Sequence, residues 1–349
     1  MGKSRDMRAL PSQTRHAARK GASVRRRARR GGWPARCLLL GLAGFLALNA
    51  VAWRQAWAMT HYAPAGRPPS KIEALSPPEK ARAVALGVTL PRPENRHTPR
   101  DLGLAYEVRR IGLPGGEALE AWVLPHPQPR GVVLAFPGYA SSKESLLAPA
   151  AALHDLAYTV VLVDFRGAGG STGDDTTLGV REAADVAAAF ADAQRAWPGR
   201  PPVLYGVSMG SAAILGAIAT QGVRPSAVIL ESPFDRLLAT TQNRFRAMGL
   251  PAFPAAELLV LWGSVQQGSN GFAHNPVDYA RAVDCPALLL QGERDPRVTT
   301  AQATVIFERL GGEKQFARFP DAGHDLLITT APQDWKRQVA GFLDRLDDR

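Results

Sequence analysis

The sequence has 349 residues, of which 46% are hydrophobic and 21% charged, a composition typical of folded proteins and not of disordered ones. Its formal net charge of +11 comes from residues 1–36, so the rest of the chain carries equal numbers of basic and acidic side chains. This balance excludes nucleic acid as an expected partner of the folded part. The two cysteines, Cys37 and Cys285, provide neither a disulfide framework nor a metal-binding cluster.

The N-terminal part predicts a membrane segment. Residues 1–36 form a basic tail that we expect to be disordered, and residues 37–58 are apolar enough for a transmembrane helix. The positive-inside rule places the tail in the cytoplasm and the C-terminal part on the periplasmic side of the inner membrane. The alternative is a cleaved signal peptide and a secreted product, because Ala50-Val51-Ala52 matches a cleavage site.

The remaining chain predicts a linker and one α/β domain. Residues 59–100 hold eight prolines and are expected to be a semi-rigid linker before a domain of residues 101–349. Short apolar runs predict strands at Ala105–Ile111, Leu119–Leu124, Gly131–Phe136, Tyr158–Asp164, Pro202–Tyr205, Ala227–Leu230, Ala287–Gln291 and Gln315–Phe319. Helical patterns occupy Ser142–Asp155, Thr177–Trp197, Met209–Gln221, Thr299–Leu310 and Pro332–Leu346. This alternation predicts a doubly wound, mostly parallel sheet with helices on both faces and an initial hairpin at Gly115-Gly116.

The segment 233–284 interrupts this alternation. It contains no clear strand and many large apolar side chains, so we expect a small helical lid, and we call the segment the lid. An apolar lid favours a hydrophobic small-molecule substrate.

A nucleophile motif follows one predicted strand. Val203–Ser211 ends an apolar run in G-x-S-x-G, with Ser208 at the centre and a run of small residues directly after it. This pattern is typical of a strand, a tight turn and a helix that present a nucleophilic serine.

The partners that such a serine needs follow later strands. Asp295 comes after the strand that ends at Gln291 and is the acid expected to orient the base. Glu231 is the alternative acid. The non-catalytic interpretation of Asp295 is a simple Asp-Pro turn. His324 follows the final strand and is the expected base, because histidine exchanges protons near neutral pH. The order serine, aspartate, histidine matches the order of these roles in α/β hydrolases.

The oxyanion donors are expected to be backbone groups. Pro137-Gly138-Tyr139 follows a predicted buried strand, and Met209 follows the serine. The N–H groups of Tyr139 and Met209 are therefore the expected pair, and neither a metal nor an organic cofactor is required. The Gly-rich loop 167–173 lacks the residues of a phosphate-binding motif, and we expect it to be structural.

Several motifs resemble one group of serine α/β hydrolases, the membrane-anchored serine aminopeptidase-like (S33-type) proteins. The similar segments are Thr98–Glu107 with Gly115-Gly116 and Leu119–Trp122, the loop Asp164–Gly173, and Glu231–Phe234. The resemblance covers residues 98–349 and implies Ser208 as nucleophile, Asp295 as acid, His324 as base, and Tyr139 with Met209 as oxyanion donors. The group usually has His-Gly where this chain has Pro137-Gly138.

These observations predict a serine hydrolase that cleaves an ester-type acyl bond. The alternatives are a serine aminopeptidase or an acyltransferase with the same residues, and a non-catalytic exported scaffold. An aminopeptidase needs carboxylates to hold a free amine, whereas Glu257 is the one acidic residue of the lid between Asp235 and Asp278.

Overall fold

A computed structural model describes residues 32–64, 76, 78–79, 82, 89–199 and 201–347. The chain divides into two compact units, Met1–Phe45 and Leu46–Arg349. The predicted basic tail up to residue 31 and most of the predicted linker between residues 65 and 88 lie outside the described residues.

The first described element is helix α1, Gly32–Thr60. Its stretch Ala35–Thr60 is long and apolar enough to cross a membrane and lies near the N-terminus, where signal sequences have the same properties. Large apolar side chains along it are exposed, namely Leu38, Leu39, Leu40, Leu42, Phe45 and Leu46. The helix is therefore a candidate for either a membrane anchor or a signal sequence.

An eight-stranded sheet forms the centre of the second unit. Its strands are β1 Glu107–Gly112, β2 Ala118–Leu124, β3 Gly131–Phe136, β4 Tyr158–Val163, β5 Val203–Val207, β6 Ala227–Glu231, β7 Ala287–Gly292 and β8 Lys314–Phe319. The spatial order is β1-β2-β4-β3-β5-β6-β7-β8. Strand β2 pairs antiparallel with β1 and β4, and the other pairs are parallel. The predicted hairpin and the mostly parallel doubly wound sheet are both confirmed.

Helices cover both faces of the sheet. After α1, the described α-helices are α2 Leu147–Asp155, α3 Glu182–Ala196, α4 Met209–Gln221, α5 Leu237–Ala247, α6 Ala255–Gln267, α7 Pro276–Tyr279, α8 Thr300–Arg309, α9 Leu327–Thr330 and α10 Pro332–Asp347, of which α5, α6 and α7 belong to the lid. One buried cluster joins the sheet to α3, α4 and α8, and a second joins its other face to α2 and α10. Because both faces are covered, β4 and β6 are buried along their whole length.

Helix α3 begins later than the sequence pattern predicts, at Glu182 instead of Thr177. The buried Glu182 carboxylate accepts hydrogen bonds from the N–H groups of Thr177 at 3.0 Å and Gly179 at 2.9 Å. It also accepts one from the Thr177 hydroxyl at 2.6 Å. These bonds stabilise a loop in place of the first helical turn, and Leu178 adopts a positive φ of 55° there.

The last residues of the predicted linker contact the Gly-rich loop 167–173. The Arg92 guanidinium donates to the carbonyl oxygens of Gly169, Ser171 and Gly173. The Asn95 amide donates to the buried Asp164 carboxylate at 2.8 Å, and that carboxylate also accepts the Gly170 N–H at 3.0 Å. Protein groups therefore hold this loop, in agreement with its expected structural role.

Candidate active site

Ser208 occupies a strained turn between β5 and α4. Its φ of 52° and ψ of −108° lie outside the conformations that residues with a side chain usually adopt. The flanking glycines permit this turn. A Cβ atom on Gly206 would lie 2.6 Å from the Gly210 carbonyl carbon, and one on Gly210 would lie 2.4 Å from the Phe136 carbonyl oxygen. The motif therefore requires glycine at these two positions, because a larger side chain would clash with the backbone.

Hydrogen bonds to the end of β6 hold this turn. The Ser208 N–H donates to the Glu231 carbonyl at 2.7 Å. The Ser211 hydroxyl, one turn into α4, lies 2.6 Å from the Gly206 carbonyl oxygen and 3.1 Å from that of Glu231. The strain at Ser208 is thus offset by bonds that fix the turn from both sides.

The structure brings Ser208, His324 and Asp295 together. Ser208 Oγ lies 3.1 Å from His324 Nε2, and His324 Nδ1 lies 2.6 Å from Asp295 Oδ2. Asp295 is buried in the loop after β7, and His324 lies in the loop after β8. In this geometry the imidazole can accept the hydroxyl proton while the carboxylate orients the ring.

Glu231, the alternative acid, has other partners. Its carboxylate accepts hydrogen bonds from the Tyr205 hydroxyl at 2.8 Å, the Trp335 indole N–H at 3.0 Å and the Leu327 N–H at 2.8 Å. Burial raises the pKa of Glu231 above its ordinary value and also raises that of Tyr205. Asp295, and not Glu231, contacts the His324 ring. Glu231 instead joins the nucleophile turn to the segment that follows His324.

The backbone of the predicted oxyanion loop passes close to Ser208. A Cβ atom on Gly138 would lie 3.7 Å from Ser208 Cβ, so the backbone at Gly138-Tyr139 passes close to the nucleophile. Met209 is the first residue of α4, where N–H groups lack intrahelical acceptors. The Tyr139 side chain points elsewhere: its hydroxyl donates to the Met59 carbonyl, and the Arg244 guanidinium lies 5.3 Å from its ring centroid.

A cleft of about 230 Å³ opens at Ser208 and His324. Its charged lining residues are Arg244, Arg297 and Asp325, and Ser141 and Ser145 add hydroxyl groups. Among the described residues, the lid contributes Arg244 and none of its large apolar side chains to this lining. The cleft is therefore more polar than an apolar lid suggests. No sequence motif identifies Arg244 as a lining residue of the cleft. For Arg297, the one indication in the sequence is its position in the Asp295 loop.

Comparisons with known proteins agree with this fold. Residues 127–262 match the family described as "Serine aminopeptidase, S33". An uncharacterized protein of Mycobacterium tuberculosis is 27% identical over 213 residues, which cover 60% of this chain and 69% of that protein. Protein bem46 of Schizosaccharomyces pombe is 24% identical over 259 residues, covering 73% of this chain and 82% of that protein.

Solved structures extend the similarity to about three quarters of the chain. The esterase Pf2001 of Pyrococcus furiosus superposes with a TM-score of 0.62 and 26% identity, covering 74% of this chain and 97% of that one. An esterase of Exiguobacterium antarcticum superposes with a TM-score of 0.51 at 16% identity, covering 68% and 100%, which supports the fold alone. The sheet order, the strained serine turn and these similarities identify the chain as a hydrolase of the α/β-hydrolase superfamily.

Proposed function

We propose that this α/β hydrolase cleaves carboxylic esters through an acyl-enzyme intermediate on Ser208. His324 accepts the hydroxyl proton as Ser208 Oγ bonds to the acyl carbon, and Asp295 orients the imidazolium that forms. The backbone N–H groups of Tyr139 and Met209 stabilise the tetrahedral oxyanion. His324 then protonates the departing alcohol, and a water molecule activated by the same imidazole releases the acid. The observation that carries this proposal is the pair of contacts at 3.1 and 2.6 Å around His324.

Amide cleavage with the same residues is the second candidate, because the matching family is described as a serine aminopeptidase. A free amine needs a negatively charged recognition site. The cleft combines Arg244 and Arg297 with one carboxylate, that of Asp325, and this excess of positive charge disfavours an ammonium group. The similarity to the Pf2001 esterase also favours esters. Transfer of the acyl group to an alcohol instead of water remains an alternative outcome of the same chemistry.

Parallel assays distinguish these reactions. Wild type, Ser208→Ala and the control Thr220→Ala, on the same helix, are assayed with p-nitrophenyl esters of increasing acyl length and with aminoacyl p-nitroanilides. We expect ester hydrolysis by wild type and Thr220→Ala, and its loss in Ser208→Ala. The length series also tests the expectation of a hydrophobic acyl group. Equal ester hydrolysis by Ser208→Ala would contradict the proposal, and faster hydrolysis of the anilides would favour the aminopeptidase.

The same proposal includes an uncleaved membrane anchor at residues 37–58, with residues 1–36 in the cytoplasm and the catalytic domain in the periplasm. The basic tail supports this orientation through the positive-inside rule. Ala52, at the alternative cleavage site, is buried within α1. On either side of it, Asn49 accepts a hydrogen bond from Trp262 of the lid and the Met59 carbonyl accepts one from Tyr139. The intact mass of the membrane-bound protein tests cleavage, and protease added to spheroplasts tests orientation. A product that starts after Ala52, or a protected domain, would contradict this part.

A further inference from the structure

The last turns of α1 pack against lid helix α6 within the unit Leu46–Arg349. The rings of Trp53 and Trp262 meet edge to face with centroids 5.1 Å apart. The Trp262 indole N–H donates to Asn49 Oδ1 at 3.2 Å, and the Gln266 amide donates to the Trp53 carbonyl at 2.8 Å. Helix α6 is therefore bound alongside the C-terminal end of the segment that is long enough to cross a membrane.

The lid carries exposed apolar side chains on α6 and in the loop before it. Leu261 and Val265, four residues apart on α6, are 41% and 55% exposed. Phe253, in the loop before α6, is 76% exposed. We call these three residues the apolar lid face. The neighbouring α1 side chains Trp53 and Trp57 are also exposed, by 44% and 52%.

Helix α6 adds no charged side chain to the apolar lid face. Glu257 is the one charged residue among the 13 residues of the helix, and its carboxylate accepts a hydrogen bond from the Gln242 amide of α5 at 2.8 Å. Large apolar side chains grouped on a surface mark interaction sites in soluble proteins. Tryptophans with exposed rings are typical of the membrane–water interface, where an apolar body and a polar N–H are both accommodated.

We infer that the apolar lid face lies in the interfacial layer of the membrane that holds α1, with Phe253, Leu261 and Val265 in contact with lipid. This inference rests on the proposed anchor. The inference depends on the contact between α1 and α6, because the lipid that surrounds the end of α1 also reaches the helix packed against it. Burial of the three side chains in lipid stabilises this arrangement in proportion to the apolar area removed from water.

Lipid-attached quenchers test this contact in the full-length protein. Single cysteines at Val265, Val108 or Leu42 are introduced in a Cys37→Ser background, labelled with an environment-sensitive fluorophore and reconstituted in vesicles that carry nitroxide lipids. Burial raises the pKa of the Cys285 thiol to about 12, which slows its labelling near neutral pH, and the Cys37→Ser protein without an added cysteine measures any label at this residue. Val108 is a matched control, because it is 57% exposed on the edge strand β1. Leu42 reports on insertion of α1.

We expect several-fold stronger quenching at Val265→Cys than at Val108→Cys, together with strong quenching at Leu42→Cys. Equal quenching at Val265→Cys and Val108→Cys, with Leu42→Cys still quenched, would overturn the inference and leave the anchor intact. An unquenched Leu42→Cys would refute the anchor and the inference with it. A Val265→Cys label that is shielded from lipid, with emission that depends on the protein-to-lipid ratio, would show that a second copy covers the face, which also overturns the inference.

Discussion

The Asp295 carboxylate is bound at both oxygens, and this fixes its position relative to His324. Oδ2 lies 2.6 Å from His324 Nδ1, while Oδ1 accepts the N–H groups of Arg297 and Val298 at 2.8 and 2.9 Å. These bonds involve the loop's own backbone, so the acid is oriented before any substrate binds. Preorganisation of this kind lowers the cost of forming the imidazolium during reaction.

Asp295→Asn is expected to lower kcat for ester hydrolysis by about 10³–10⁴-fold with little change in stability. The amide preserves the shape of the side chain but has only one oxygen. Where that oxygen accepts the Arg297 and Val298 N–H groups, the NH2 group faces His324 and cannot accept the Nδ1–H bond that selects the productive tautomer. Asp321→Asn is the control, because Asp321 lies in the His324 loop and pairs with Arg294 at the exposed surface. Steady-state kinetics check both variants. A loss of less than tenfold in Asp295→Asn would show that Asp295 does not orient the base.

Gly206→Ala is expected to abolish activity and to lower stability, because the new Cβ would lie 2.6 Å from backbone atoms of Gly210 and Ser211. These atoms belong to the nucleophile turn and cannot move without displacing Ser208. Gly112→Ala is the control, since a Cβ there meets no atom within 4 Å. Thermal unfolding and ester hydrolysis are measured together. An active Gly206→Ala with wild-type stability would contradict the geometry of the turn.

Glu231→Gln is expected to lower stability by about 1–3 kcal/mol and to lower kcat more than it changes KM. The carboxylate accepts three hydrogen bonds. In glutamine an NH2 group replaces one carboxylate oxygen, and this group cannot accept the hydrogen bonds that the oxygen accepted. Glu231 acts through the Ser208 turn and the segment after His324, so it is a positioning residue. Glu293→Gln, at an exposed glutamate, is the control. A changed KM with an unchanged kcat would argue against this positioning role.

His274 is expected to make the protein less stable in acid. Burial lowers the pKa of this side chain to about 4, whereas the unfolded chain takes up the proton near pH 6.5. The unfolded state therefore binds more protons between these values, so the contribution is present above pH 6.5 and is lost as the pH falls toward 4. The loss is about 3 kcal/mol by linkage from that shift of pKa.

Thermal unfolding across this pH range checks the effect. His274→Phe is expected to flatten the decrease in stability, because phenylalanine suits the contacts with Phe234 and Tyr279 and does not titrate. His97→Gln should retain the decrease, because His97 is exposed and its hydrogen bond to the Glu144 carboxylate raises its pKa. An unchanged slope in His274→Phe would assign the acid sensitivity to other groups.

Arg244→Gln is expected to reduce kcat/KM for esters with a carboxylate in the acyl chain several-fold more than for neutral esters of equal length. Arg244 lines the cleft at Ser208, where a guanidinium attracts anionic substrate groups in a partly buried site. Arg246→Gln is the control, because Arg246 lies on the same helix and bonds to Asn243. Competition between the two esters measures the discrimination directly. An equal effect on both would exclude recognition of charge by Arg244.

The sequence was sufficient to predict the elements that local pattern controls. Ser208 lies in a motif whose glycines have a steric cause, and β6 and β7 are continuous apolar runs. Asp295 and His324 could be placed near Ser208 because the carboxyl ends of parallel strands meet at one edge of the sheet.

Features that depend on distant contacts could not be predicted in this way. The first turn of the predicted helix at Thr177 is replaced by a loop around the buried Glu182 carboxylate. The polar character of the cleft depends on Arg244 of the lid, whose neighbours in sequence carry no motif. The lid's Trp262 packs against α1, more than two hundred residues earlier in the chain, and no periodicity encodes that pairing.

Covalent labelling of the nucleophile is the most direct test of the proposed chemistry. The solubilised full-length protein is treated with a fluorophosphonate probe, and the modified residue is located by mass spectrometry of peptides. We predict a single adduct on Ser208 in wild type and in Glu293→Gln, and none in Ser208→Ala. A folded wild-type protein that forms no adduct, or an adduct on a different serine, would contradict the assignment of Ser208 as the nucleophile.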